Sequence, residues 1–200
     1  MRIGVDFDNT IVCYDRIFHN IALEKSLISK DLPVNKGVVR DYLRRQDKED
    51  VWTELQGYVY GARMVEADPF PAVCDFFAEC GEKSVPVFII SHRTRYPFLG
   101  EKYDLHESAH TWLRKYGFLN KSNGLLAPDR VFFELTKSAK LERIGAAMCD
   151  YFIDDLPEFL AEPDFPGNTK KILFDPNNHY PDTDFRRVTS WQAIRDIFFD

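Results

Sequence analysis

A short apolar run, Arg2-Ile3-Gly4-Val5, ends in two carboxylates two residues apart, Asp6 and Asp8, with Asn9 and Thr10 following. No other stretch constrains the chain as much. The run reads as a buried strand that starts almost at the first residue. Side chains alternate along a strand, so the two acids share a face only if the strand continues. A turn near Asp8 instead brings both to the carboxyl edge of a sheet, where ligands bind in open α/β folds. Two carboxylates at one edge repel each other, and a divalent cation relieves the repulsion. One acid can then stay ionised as nucleophile or metal ligand while the other trades protons. The plainer alternative is a turn after a strand, since Asp and Asn favour turns anyway.

Further along, strands and helices alternate. Val85 to Ile90 is apolar throughout and predicts a strand buried on both faces, ending in Ser91-His92-Arg93. Val131-Phe132-Phe133 and Tyr151-Phe152-Ile153 read as strands, the latter running into Asp154-Asp155, and Lys171 to Phe174 reads as another. Between them, apolar residues at helical spacing predict helices over 72–80, 104–116, after an N-capping Thr136, and over 191–199. This alternation predicts a doubly wound parallel sheet. Residues 14–70 lack a convincing strand. They read as helix over 15–30, further helix over 38–56 and a glycine-flanked aromatic turn at Gln56-Gly57-Tyr58-Val59-Tyr60-Gly61, closed by Asp68-Pro69-Phe70-Pro71. The expected organisation is an α/β core of 1–13 and 71–200, with 14–70 a helical insertion over the sheet's edge.

Composition narrows the function classes. At 200 residues the chain can bury one sizeable core with a small appendage, and 44% apolar with 29% charged content argues against extended disorder. A net charge of −6 without a dense Lys/Arg stripe argues against nucleic acid as a partner. No apolar stretch approaches the ~20 residues of a membrane span. Asp6 and Asp8 interrupt what would be the apolar region of a signal peptide. Cys13, Cys74, Cys80 and Cys149 are scattered without C-x-x-C spacing, which fits reduced thiols in a cytoplasmic protein better than a zinc site. An aromatic content of 14% predicts a heavily aromatic core.

In a parallel sheet all the strands' carboxyl ends lie on one edge. Asp6 and Asp8, Ser91, a lysine after the Phe133 strand (Lys137 or Lys140) and Asp154-Asp155 therefore converge. Each has a dull explanation taken singly: a cap, a turn, a solvated ammonium. In this order and together, the chain resembles the haloacid dehalogenase-like (HAD) superfamily over essentially its whole length. DFDNT corresponds to the first motif, the Ser of IISHR to the second, a Lys of ELTKSAK to the third and FIDDLPE to the fourth. The resemblance implies a Rossmann-like core with a small helical cap after the first motif. The stretch between Ser91 and Lys140 already holds a helix and a strand, which leaves no room for a second large cap.

The resemblance further implies phosphoryl chemistry on a small phosphorylated metabolite. Asp6 is the implied nucleophile, and Asp8 protonates the leaving alcohol and later activates water. Ser91 binds the transferring group, and the lysine neutralises charge near Asp6. Relatives with a T-x-x-x-K start point to Lys140 over Lys137. Mg²⁺ is the implied cofactor, with Asp6, the main-chain carbonyl of Asp8, Asp155 and Asp154 about it. In the family's common Gly-Asp version of the fourth motif the direct ligand takes the second place, here Asp155. Asn9, Thr10, His92 and Arg93 are candidate substrate contacts. Dehalogenating members need no acid two residues after the nucleophile, so Asp8 favours a Mg²⁺-dependent phosphatase. A phosphotransferase or mutase, or a non-catalytic phosphate-binding module, is the alternative. In the cap, Arg40, Arg44, Arg45, Arg63 and Tyr60 are either a second anion contact or a solvated face.

Overall fold

The computed structural model describes residues 1–120 and 124–200. In chain order its elements are β1 (Ile3–Val5), β2 (Val12–Cys13), α1 (Asp15–Glu24), α2 (Lys36–Arg44), α3 (Glu49–Tyr60), β3 (Asp68–Pro69), α4 (Val73–Glu82) and β4 (Val87–His92). There follow α5 (Leu105–Lys115), β5 (Val131–Glu134), α6 (Lys137–Ala146), β6 (Tyr151–Asp154), α7 (Pro157–Leu160), β7 (Lys170–Phe174), β8 (Arg186–Val188) and α8 (Trp191–Phe199). Six strands form one sheet in the order β5-β4-β1-β6-β7-β8, every pairing parallel. The order reverses direction at β1, the arrangement of a doubly wound Rossmann-like sheet.

The chain divides into two units. The first comprises Met1–Val12, Pro69–Arg93 and Tyr116–Asp200 and carries the six-stranded sheet. Alternation along the strands sorts its core into two layers. Ile90, Phe152 and Leu173 pack with Leu141 and Ile144 of α6 and with Phe159 and Leu160 of α7. On the other face Phe174 meets Trp191 of α8, whose ring lies 5.1 Å from that of Phe76 on α4. β8 was not expected. Its sequence, Arg186-Arg187-Val188, has no apolar pattern, because an edge strand needs only one buried residue, here Val188.

The second unit comprises Cys13–Asp68 and Thr94–Lys115. The expected insertion, 14–70, thus differs from it by one or two residues at each boundary and by the segment 94–115, which sequence reading gave to the core. The reason is the apolar face of α5: Leu105, Ala109, Trp112 and Leu113 are buried, and the Trp112 indole donates to the Ala67 carbonyl at 2.9 Å. Amphipathicity shows that a helix packs, not against which partner. The expected helix over 38–56 is two helices, α2 and α3, broken at Arg45–Lys48. Gln56–Gly61, expected as a turn, forms the end of α3 and its cap, since burial of Val59 overrides the glycine's poor helix propensity. Most of the cap arginines weighed as anion contacts make surface ion pairs: Arg40 with Asp41, Arg44 with Glu49, Arg63 with Glu24 and Glu66. All three tryptophans, Trp52 and Trp112 here and Trp191 in the first unit, are fully buried, so the aromatic surplus does pack the core.

Gly57 and Gly61, one turn apart on α3, let the segment after β4 lie directly against the helix. A Cβ on Gly57 would sit 2.7 Å from Pro97 Cβ, and one on Gly61 would collide with the Tyr103 ring. Gly61→Ala is expected to destabilise the second unit by about 1–3 kcal/mol, the usual range for overpacking. Thermal denaturation followed by tryptophan fluorescence checks this; an unchanged midpoint would mean that the 94–104 segment yields freely.

Candidate active site

β1 sits at the switch point of the sheet, with Val5 paired to Ile89 on one side and Ile153 on the other. Its carboxyl end is therefore flanked by the ends of β4 and β6. The Asp6 amide continues the ladder by donating to the Ile153 carbonyl at 2.9 Å. Then the chain turns. The Phe7 carbonyl accepts from the amides of both Ile11 and Val12 at 3.1 Å, with Asn9 in the left-handed region at φ +56°, which Asn tolerates better than most residues. Phe7 is buried edge-on against Phe133, and the Trp191 indole donates to the Thr10 carbonyl at 2.9 Å. The loop carrying the two acids is thus held from both ends. The Trp191 tie was not legible in sequence, since 181 residues separate the partners.

Around Asp6 the side chains converge. Ser91 Oγ donates to Asp6 Oδ1 at 2.9 Å. Lys140 Nζ donates to the same oxygen at 2.6 Å and to Asp154 Oδ2 at 2.6 Å. Asp154 Oδ1 accepts from the Leu156 amide at 3.0 Å, which fixes that carboxylate. Thr136 caps α6 by accepting from the Ala139 amide, and the next turn of the helix carries Lys140 inward over the Phe159 ring. Phe152 and Asp154 share a face of β6, so Asp154 meets α6 and its lysine. Asp155 instead accepts from Thr10 Oγ1 at 3.4 Å. Adjacent acids thereby take different partners.

The electrostatics follow from this packing. Burial pushes the Asp6 carboxyl up to about 7, with Lys140 opposing and Asp154 and Asp8 adding to the rise. Burial also works against the Lys140 charge, but Asp154 and Asp6 outweigh it and hold the ammonium well above its usual range. The asymmetry has a simple cause: the lysine has two carboxylates, whereas those two share one lysine. One oxygen from each of Asp6, Asp154 and Asp155 lies within 4.8 Å of the other two. An all-oxygen donor set of three carboxylates against the single Lys140 ammonium leaves two negative charges over, which suits a hard divalent cation such as Mg²⁺.

The other expected site residues fall as follows. Asp8 takes both its oxygens to Arg93 Nη1, each at 2.7 Å. Of the two lysines left open, Lys140 is 3% exposed among the acids, whereas Lys137 is 52% exposed with its ammonium 3.6 Å from Glu162. Thr10 is buried and Asn9 half-buried beside Asp8. His92 is exposed and alternates with Ser91 and Arg93, so its side chain leaves the other face of the strand. Partial burial lowers the His92 imidazole below its ordinary range, and the ammoniums of Lys140 and Lys137 add to this.

No family model matches the sequence, and no curated protein matches it. Solved structures do match, over nearly the whole chain. A HAD-hydrolase from Bacillus subtilis bound to magnesium, YfnB, is similar at 11% identity over 100% of this chain and 98% of that one, with a TM-score of 0.60. A HAD family hydrolase from Deinococcus radiodurans R1 with bound phosphate and sodium is similar at 16% identity over 98% and 93%, with a TM-score of 0.59. A dehalogenase gives 11% identity over 100% and 97%, with a TM-score of 0.57. Likeness at such identities is likeness of fold. This chain has the fold of the HAD-superfamily hydrolases.

Proposed function

We propose that the chain is a Mg²⁺-dependent phosphatase that hydrolyses a small phosphomonoester through a phosphoaspartate at Asp6. One observation carries the reading: a hydroxyl and an ammonium, from Ser91 and Lys140, both donate to one oxygen of a buried carboxylate at the switch point of the sheet. A carboxylate so oriented is a nucleophile held in place. An oxygen of Asp6 attacks phosphorus, and the ester P–O bond breaks. Asp8 gives its proton to the departing alkoxide, then takes one from the water that attacks the phosphoaspartate, so that inorganic phosphate leaves and Asp6 is restored. Asp6, Asp155 and the main-chain carbonyl of Asp8 are the ligands we assign to the metal, with Asp154 orienting Lys140. A bound Mg²⁺ would supply charge neutralisation between the carboxylate and the phosphoryl oxygens.

The dehalogenase likeness offers a second chemistry on the same fold, with an ester to Asp6 formed as halide departs. Asp8 argues against it. An alkoxide leaving group needs a proton and a halide does not. The phosphate and the magnesium bound by the two hydrolases above are consistent with the phosphatase reading.

Covalent trapping tests it. Acid quenching during turnover of an active ester, followed by borohydride reduction, converts an aspartyl phosphate to homoserine. Peptide mass spectrometry is expected to find homoserine at position 6 when Mg²⁺ and substrate were both present. Phosphate release without any trapped residue would mean that water attacks phosphorus directly.

A further inference from the structure

Two strands meet at this site with the same spacing. β1 ends in Asp-x-Asp and β4 in Ser-x-Arg, and the strands are parallel neighbours. Ser91 donates to Asp6 and Arg93 to Asp8, each across an interval of 85 residues. The two-residue step of one strand end is matched by that of the other. Ser91 and Arg93 lie on one face of their strand, with exposed His92 between them on the other. The Arg93 amide donates to the Glu134 carbonyl at 2.8 Å, which fixes the backbone from which the guanidinium projects. Its side chain is 3% exposed, whereas that of Asp8 is 21% exposed. The guanidinium also lies 5.7 Å from the buried Phe7 ring. A ligand arriving from solvent meets Asp8 before it meets Arg93.

We propose that Arg93 is the positioning residue for Asp8, fixing the direction of its carboxylate for proton transfer, and is not a substrate contact. This role rests on the phosphatase reading. One guanidinium nitrogen spans both oxygens, so the carboxylate has little freedom to rotate. Charge-assisted bonds of this length are the strong kind, and a proton donor aimed within a narrow cone gains more than one that samples several rotamers.

The test is a double-mutant cycle of wild type, Asp8→Ala, Arg93→Ala and the double variant, on two aryl phosphates with Mg²⁺ present. Phenyl phosphate has a poor leaving group that needs the acid; 4-nitrophenyl phosphate needs it far less. Arg93→Ala is expected to lower kcat on phenyl phosphate by about 10²-fold, within the range for a general acid, with KM scarcely changed. The loss should shrink on 4-nitrophenyl phosphate, and so should that of Asp8→Ala. The double variant should be no slower than Asp8→Ala alone. Arg93→Lys, which keeps the charge but shortens the reach, should recover part of the rate. It also carries the cycle should Arg93→Ala melt below the assay temperature. Losses that multiply in the double variant, or a raised KM with kcat unchanged, would show that Arg93 touches substrate and overturn the proposal. A wild type silent toward both esters would remove the phosphatase reading, and this role with it. An active wild type with multiplying losses would remove the role of Arg93 alone.

Discussion

Asp6→Asn is expected to lower Mg²⁺-dependent phosphate release by about 10⁴-fold or more, the scale seen when a covalent nucleophile is removed. An amide keeps the shape and still accepts from Ser91 and Lys140, so geometry alone does not explain such a loss. The same substitution should raise the metal-free melting temperature. The folded Asp6 carboxyl is pushed up to about 7 from an ordinary value of 3.8, so its charged form is disfavoured in the fold. The sign of the pH dependence follows. The folded state binds the proton more tightly than the unfolded one, so the group's contribution is fully present below 3.8 and is lost as pH rises through about 7. The stability gain in Asp6→Asn should therefore grow between those limits. Differential scanning calorimetry of both proteins across that range, with chelator, reads it out. A gain that is flat with pH would mean that the Asp6 charge is not under strain.

The second large effect is at Lys140. Lys140→Met keeps most of the apolar stem that lies over Phe159 but leaves Asp6 and Asp154 without their shared ammonium. Removing one partner from a buried ionic cluster costs about 3–5 kcal/mol. In a chain of this size that is roughly a 6–20 °C drop in melting temperature. The double variant with Asp6→Asn should regain part of the loss, because one of the two stranded charges is gone. A Lys140→Met protein as stable as wild type would contradict the charge balance derived for the site.

Much of this was legible in the sequence, and the limits have physical causes. The strand ends carrying Asp6, Ser91 and Asp154 are readable because a parallel sheet imposes one direction on apolar runs and so collects whatever follows them. Lys140 could be read only as one of two, since Lys137 begins the same helix; the inward turn of α6 separates them. What eluded sequence reading is partner choice. Arg93 follows a strand, as a substrate contact would, and only the register of β4 on β1 aims it at Asp8. Trp112 marks an amphipathic helix, but only the partners of its buried face, the Ala67 carbonyl among them, show that the helix belongs to the second unit. β8 escaped because an edge strand with two arginines has almost no pattern to find.

Whether this site transfers a phosphoryl group is read from its products. Wild-type protein would be offered a panel of phosphorylated metabolites and, in parallel, 2-haloacids, each with Mg²⁺ and with chelator. Inorganic phosphate is expected from one or more esters, only with the metal, and no halide from the haloacids. Halide released without metal, or an ester panel left intact in every condition, would overturn the phosphatase reading.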